Sequence, residues 1–165
     1  MSTGCSFRTY IPRRTGFALL LSTLMAATVT ATAAASGPDE TALDAVALSQ
    51  MELRADHAVV RDQCYLYTEV VHGLTELAGR QLSAGQDEEA AATIRQVDIV
   101  AGKIGVAASK DPKRLKNAEL LLEHTSERLK DMLRAANDEE REVMKATLRH
   151  LNAVHTGVLS MVFAH

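Results

Sequence analysis

From about residue 58 onward, apolar residues recur at alternating steps of four and three, the spacing that lines them up on one face of a helix. Val60, Cys64, Tyr67, Val71, Leu74 and Ala78 form a first seam, and Ala90, Ile94, Val97, Ala101, Ile104 and Ala108 repeat the same steps in a second. Leu115, Ala118, Leu122, Thr125, Leu129, Met132 and Ala136 make a third, and Met144, Leu148, Leu151, His155, Val158 and Val162 a fourth. The pattern predicts four long helices and no strand.

The residues between the seams supply the ends. Gly85 sits where a left-handed residue closes the first helix, and Asp87, Glu88 and Glu89 give the second a cap and a negative first turn. Asp111-Pro112 reads as a cap and first-turn pair for the third helix. Asn137 with Glu140 three residues later has the spacing of a capping box for the fourth. The connections are short enough to make consecutive helices antiparallel neighbours. The predicted fold is therefore all-α, an antiparallel up-and-down four-helix bundle.

Upstream, Leu43, Val46 and Ala47 begin a further amphipathic stretch. Continued at about 100° per residue from the Val71 seam, Met51 would point to the opposite side, so residues 36–56 are expected to form a lead-in with a short helix and a bend. The bundle domain is assigned to 57–165.

One local run, Leu74, Leu77, Ala78, Gly85, Ala90, Ile94 and Val97, resembles part of a tetratricopeptide unit. The resemblance implies a helical hairpin packing small residues at fixed offsets. It covers roughly 25 residues, lacks the aromatic positions and does not return at a period of about 34 residues, so a plain bundle is the reading retained.

Residues 1–35 break the pattern. They hold Arg8, Arg13 and Arg14 and no acidic residue, then an apolar run from Gly16 through Phe17, Leu19, Leu20, Leu21, Leu24, Met25 and Val29. Small residues follow, and an A-x-A pattern ends at Ala33 and again at Ala35. This is the layout of a signal peptide, with a periplasmic or extracellular product after cleavage near Ala33 or Ala35; membrane attachment is expected only if the leader is kept. Setting the leader aside removes three of the 18 basic residues and none of the 21 acidic ones, which leaves a net charge of −6. An acidic chain that retains only Tyr65, Tyr67 and Phe163 as aromatics is a poor partner for nucleic acid or an anionic membrane surface.

Several residues invite chemistry. Glu69 and His72 have the E-x-x-H spacing of di-iron bundles, yet the seam puts Glu69 about 180° and His72 about 120° from the core direction, and no second E-x-x-H follows. Solvent-facing side chains are predicted, and no metal site. His155 alone among the histidines lies on a seam; the expectation is a core histidine bonded by a polar layer of Tyr67, Thr68, Thr75 and Thr125. The alternative makes His155 the axial ligand of a haem, or a metal ligand, in the bundle, with Met132 or Met144 as a sulfur partner, although no C-x-x-C-H is present. Hydrolase, phosphate-loop and zinc-protease motifs are absent, so no catalytic role and no cofactor are predicted.

Cys64 is the one cysteine beyond the leader, and in an oxidising compartment it is a candidate for an intersubunit disulfide. The first long helix carries a second apolar stripe, Leu66, Val70, Gly73 and Leu77; the second carries an outward pair, Ile99 and Val106, beside Gly102. Leu66, Val70, Leu77, Ile99 and Val106 are the candidate interaction face. The functional expectation is a non-catalytic, exported interaction module that meets another protein or a second copy of itself.

Overall fold

A computed structural model describes residues 45–110 and 112–164, which form five helices: α1 (Ala45–His57), α2 (Val60–Ser83), α3 (Asp87–Ala108), α4 (Leu115–Ala135) and α5 (Asp138–Ala164). Among the described residues there is no strand, and the chain is an all-α helical bundle. The expected leader with its expected cleavage positions, Cys5 and the first part of the expected lead-in lie outside the described residues. No helix among the described residues is long and apolar enough to cross a membrane.

Most seam positions become the core, although Val60, the first residue of α2, is 45% exposed. Cys64, Val71 and Ala78 of α2, Ile94, Val97, Ala101 and Ile104 of α3, Ala118, Leu122 and Leu129 of α4, and Met144, Leu151 and Val158 of α5 are all buried. Small side chains at alternate positions let α2 and α3 approach closely, and each buried Val, Leu or Ile side chain contributes about 1.5–3 kcal/mol relative to exposure.

The expected Gly85 stop and the Asn137–Glu140 box are met, whereas Asp87 is the first residue of α3 and not its cap: Gln86 takes the cap position with no side-chain bond, and Asp87, Glu88 and Glu89 form the negative first turn. At the end of α2, Gly85 takes φ +71°, and the N–H groups of Gly85 and Gln86 donate to the carbonyls of Leu82 and Gln81 at 3.0 and 2.9 Å. This pair of bonds satisfies carbonyls that the helix leaves open. Before α5, Asn137 Oδ1 accepts from the Glu140 N–H at 3.2 Å, and its amide donates to Glu140 Oε1 at 2.9 Å.

The α3–α4 connection departs from expectation. Helix α4 starts at Leu115, three residues beyond the predicted first turn at Pro112. Its cap is Arg114, held in the left-handed region at φ 60°. That conformation costs a non-glycine residue about 1–2 kcal/mol. Two contacts hold it: the Arg114 guanidinium lies 3.6 Å over the Tyr65 ring, and the Lys113 N–H donates to the Arg61 carbonyl at 2.7 Å. The start of α4 is thereby tied to the start of α2.

This tie changes the topology from simple up-and-down neighbours. Helix α2 packs on α3 and α4, and α5 packs on α3 and α4, whereas α3 and α4 do not form one of these packed pairs. The cross-contacts show the directions. Tyr65 meets Arg114, His72 meets Thr125, Glu76 meets Arg128 and Gly79 lies beside Met132, so α2 and α4 run parallel. Asp98 meets His150, and Gly105 and Ala108 face Val154, Gly157 and Met161, so α3 and α5 run parallel as well. Within each hairpin the contacts run antiparallel, as between Gln81 and Thr93 or Glu119 and His155. Helices α2 to α5 are two antiparallel hairpins laid side by side, and short connections fix the direction of successive helices without making α3 and α4 a packed pair. Helix α1 forms a fifth element against α2.

Along the α3–α5 contact, a Cβ built at Gly105 or at Gly157 would meet nothing within 4 Å. Both glycines are inside helices, where the missing side chain leaves the unfolded chain more freedom to lose. Gly105→Ala and Gly157→Ala are each expected to stabilise the fold by about 0.4–1 kcal/mol, measured singly by urea denaturation.

Candidate functional site

The densest polar constellation lies where α1 meets α2 and α3. Lys103 of α3 reaches Glu52 Oε1 and Asp56 Oδ1 of α1, both at 2.8 Å, and its Nζ sits 5.4 Å from the centre of the Tyr67 ring. The Tyr67 hydroxyl donates to the same Asp56 oxygen at 2.8 Å, and the Gln96 amide donates to Glu52 Oε2 at 2.9 Å. The stagger has a local origin. Glu52 and Asp56 are one turn apart on α1, and Gln96 and Lys103 are two turns apart on α3, so both pairs line the same junction.

The charges respond to one another. Lys103 hydrogen-bonds two carboxylates, which holds its ammonium pKa above the ordinary lysine value. Its bond to Asp56, aided by that of Tyr67, keeps the Asp56 carboxyl below its usual range. Burial, and then the bond to Asp56, pushes the Tyr67 phenol up to about 12.

Beside this clasp runs a surface groove of about 420 Å³ lined by Gln63, Tyr67, Ile99, Gly102, Lys103, Val106, Ala107 and Lys110. Ile99 is 58% exposed and Val106 60%. These two predicted face residues stand together on the groove, as their seven-residue spacing on α3 requires.

The other predicted face residues belong to the interior. Val70 is 1% exposed, and Leu66 and Leu77 pack against the core. The second stripe exists because α2 has three neighbours, α1, α3 and α4, and needs apolar surface around more than half its circumference. Sequence periodicity detected the width but not what covers it.

The histidines sit differently from the prediction. His72 does not face solvent freely: its Nδ1 lies 3.2 Å from Thr125 Oγ1 on α4. The Thr125 hydroxyl hydrogen is used on the Leu121 carbonyl at 2.6 Å, so the imidazole is the donor in this contact. Thr68 and Thr75 likewise bond the carbonyls four residues back, at Cys64 and Val71, and Tyr67 bonds Asp56. The expected polar layer therefore never reaches His155. That side chain, 20% exposed, pairs instead with Glu119 of α4 at 3.2 Å, and His150 pairs with Asp98 of α3 at 2.8 Å.

The cofactor candidates are not brought together. Met132 and Met144 are buried with Ala78, Ile94, Leu129 and Ala136 at one end of the bundle. His155 lies eleven residues beyond Met144 on α5, about 16 Å along the axis. Glu69 and His72 share a flank of α2 facing α4, where Glu69 raises the Tyr65 phenol after burial has done so and His72 contacts Thr125. No group of three or more potential metal-binding side chains occurs among the described residues.

Cys64 is wholly buried, and burial pushes its thiol up to about 11. A sulfur with no exposed surface cannot meet one on another subunit while α2 stays packed, which removes the geometric basis for the intersubunit bridge.

Away from the clasp, α2 carries a second stripe, mostly polar, against α4. Tyr65, Glu69, His72, Glu76 and Gly79 recur at steps of four and three, the same period as the apolar seam but on the α4 flank. Glu76 meets Arg128 there at 3.2 Å. The four-three spacing of these residues is the sequence signal for this flank, and it is carried by polar side chains in place of apolar ones.

Comparison of the chain with family models, curated proteins and solved structures finds no match.

Two measurements check this arrangement. Asp56→Asn is expected to lower the Tyr67 titration midpoint from about 12 toward the ordinary value of 10, read by ultraviolet difference absorbance. A raised phenol pKa implies stability present below pH 10 and lost as pH rises toward 12; the lowered Asp56 value implies stability present above the ordinary 3.8 and lost as pH falls through the lowered value. In a Cys5→Ser chain, Cys64 is expected to resist a thiol reagent under native conditions and to react fully in denaturant.

Proposed function

We propose that this chain is an exported, non-catalytic interaction module, in which two stacked hairpins form a four-helix bundle with α1 as its lead-in and present a rigid face on α3 to another protein. The basic and apolar leader supports export, and the acidic balance of the remaining chain disfavours nucleic acid and anionic membrane as partners.

The observation that carries the reading is the groove beside Ile99 and Val106. Two large apolar side chains, each more than half exposed, flank Gly102 on a helix whose opposite face is packed with Val97, Val100, Ala101 and Ile104. The helix beneath is rigid, so a partner meets the pair without ordering cost on this side. Tyr67, Gln63 and Lys110 provide a polar border around the apolar pair.

Exposed positions tolerate substitution, so Ile99→Asp and Val106→Asp are expected to change folding stability by no more than about 0.5 kcal/mol. Each is expected to weaken partner capture by about tenfold or more, as loss of an apolar anchor does. Pull-down and native mass measured on the purified variants decide the matter. Unchanged oligomeric mass and unchanged partners in both variants would remove this face from consideration.

A further inference from the structure

The groove beside Ile99 and Val106 has a wall as well as a floor. Gln63, in the first turn of α2, forms that wall, and its amide is fixed by donating to the Asp56 carbonyl at 3.2 Å. On the floor, Ile99 and Val106 are seven residues apart on α3, about 10.5 Å along its axis. Side chains seven residues apart on another helix repeat at that same distance, whereas those on one face of a strand repeat at about 6.8 Å. A helix therefore matches the pair. Gly102, which carries no side chain, leaves space between them for a side chain of that helix.

The mouth of the groove is basic. Lys110 lines it just past the end of α3, and the Lys113 N–H donates to the Arg61 carbonyl at 2.7 Å, two residues from Gln63. Lys110 and Lys113 are exposed and form no ion pair among the described residues. Lys103, by contrast, is committed to Glu52 and Asp56. The run 110–116 holds Lys110, Lys113, Arg114 and Lys116 against the single acid Asp111, and Asp62 is the acid in the first turn of α2. Positive charge is thus in excess at this mouth, although the chain beyond residue 35 is acidic as a whole.

A second copy of the chain does not supply the carboxylates that this mouth calls for. In the antiparallel register that buries both apolar pairs, Ile99 of one copy faces Val106 of the other, and Arg95 falls beside Lys110 at each end. Apposed cations of this kind select against a pairing.

We infer that the partner is a helix carrying two apolar side chains seven residues apart and, within two turns beyond the one that meets Val106, acidic side chains that meet Lys110 and Lys113. The inference rests on the α3 face proposed above and adds the chemistry of the partner to it. The apolar pair supplies the anchor, and the carboxylates set the direction in which the helix lies and speed its approach.

Three synthetic peptides test it, each held helical by a hydrocarbon staple and carrying two leucines seven residues apart. One and two turns beyond the second leucine, the first peptide carries glutamate, the second glutamine and the third lysine. Binding to the purified chain is read by fluorescence anisotropy. The acidic peptide is expected to bind about tenfold or more tightly than the neutral one at low salt, and the basic peptide more weakly than either. The gap between acidic and neutral peptides is expected to narrow as sodium chloride rises from about 0.05 to about 0.5 M. The double variant Lys110→Glu, Lys113→Glu, altered only at exposed positions, is expected to reverse the order of acidic and basic peptides. Ile99→Asp is expected to weaken acidic and neutral peptides alike. Acidic and neutral peptides that bind equally, with Ile99→Asp still weakening both, would overturn the acidic partner and leave the face standing. An acidic peptide that fails to bind, or binds regardless of Ile99→Asp, removes the face and the inference with it. A wild-type chain whose mass doubles with concentration, and stays monomeric as Ile99→Asp, makes a second copy the occupant and overturns the acidic partner.

Discussion

The packing of this protein depends on the fastening of one short connection. Arg114 adopts a left-handed backbone, its guanidinium covers Tyr65, and the neighbouring Lys113 N–H is bonded to the Arg61 carbonyl. The start of α4 therefore lies beside the start of α2 and points the same way. From this follow the parallel α2–α4 and α3–α5 pairs, the separation of α3 from α4, and the demand that α2 serve three neighbours. A conformation costing about 1–2 kcal/mol is worth keeping when a whole hairpin is oriented by it.

The same arrangement divides the interfaces by chemistry. Contacts between the hairpins include Tyr65–Arg114, His72–Thr125, Glu76–Arg128 and Asp98–His150, most of them half-exposed. Partly exposed pairs of this kind contribute little net stability, typically below about 1 kcal/mol each. The apolar seams supply the driving force, and the polar contacts select the register in which parallel helices lie. The histidines are thus used as helix-to-helix partners, one with α3 and two across the flanks of α4.

Which residues are buried was legible in the sequence to a large degree; which helices meet was not. Every member of the α3 seam from Ala90 to Ala108 is buried, and Gly85 and Asn137 terminate and start helices as their chemistry requires. A period of 3.6 residues identifies a face, but it does not name the helix opposite that face. Seam phase alone therefore directs His72 to solvent and His155 to a layer of Tyr67, Thr68, Thr75 and Thr125, whereas in the fold Tyr67 bonds Asp56 and each threonine satisfies its hydroxyl on its own helix. Arg114 carried no local signal, because an arginine in the left-handed region is chosen by Tyr65 and Arg61, both about 50 residues away. The groove residues Ile99 and Val106 were legible for the opposite reason: exposure of an apolar pair is a property of one helix, readable from its own phase.

Helix α1 shows how affinity and orientation separate within one contact. Leu48 and Ala55 are its only fully buried apolar side chains, a small anchor for thirteen residues. Lys103, Glu52 and Asp56 are 33%, 18% and 35% exposed in their side chains, so solvent screens their attraction and the pairs add modestly to the energy. Geometry is where they are effective. Three side chains from α2 and α3 converge on two carboxylates one turn apart, and a shift of α1 by a single residue would turn both carboxylates away and carry Leu48 and Ala55 out of the core. The apolar pair anchors α1, and the two carboxylates fix its register on α2 and α3.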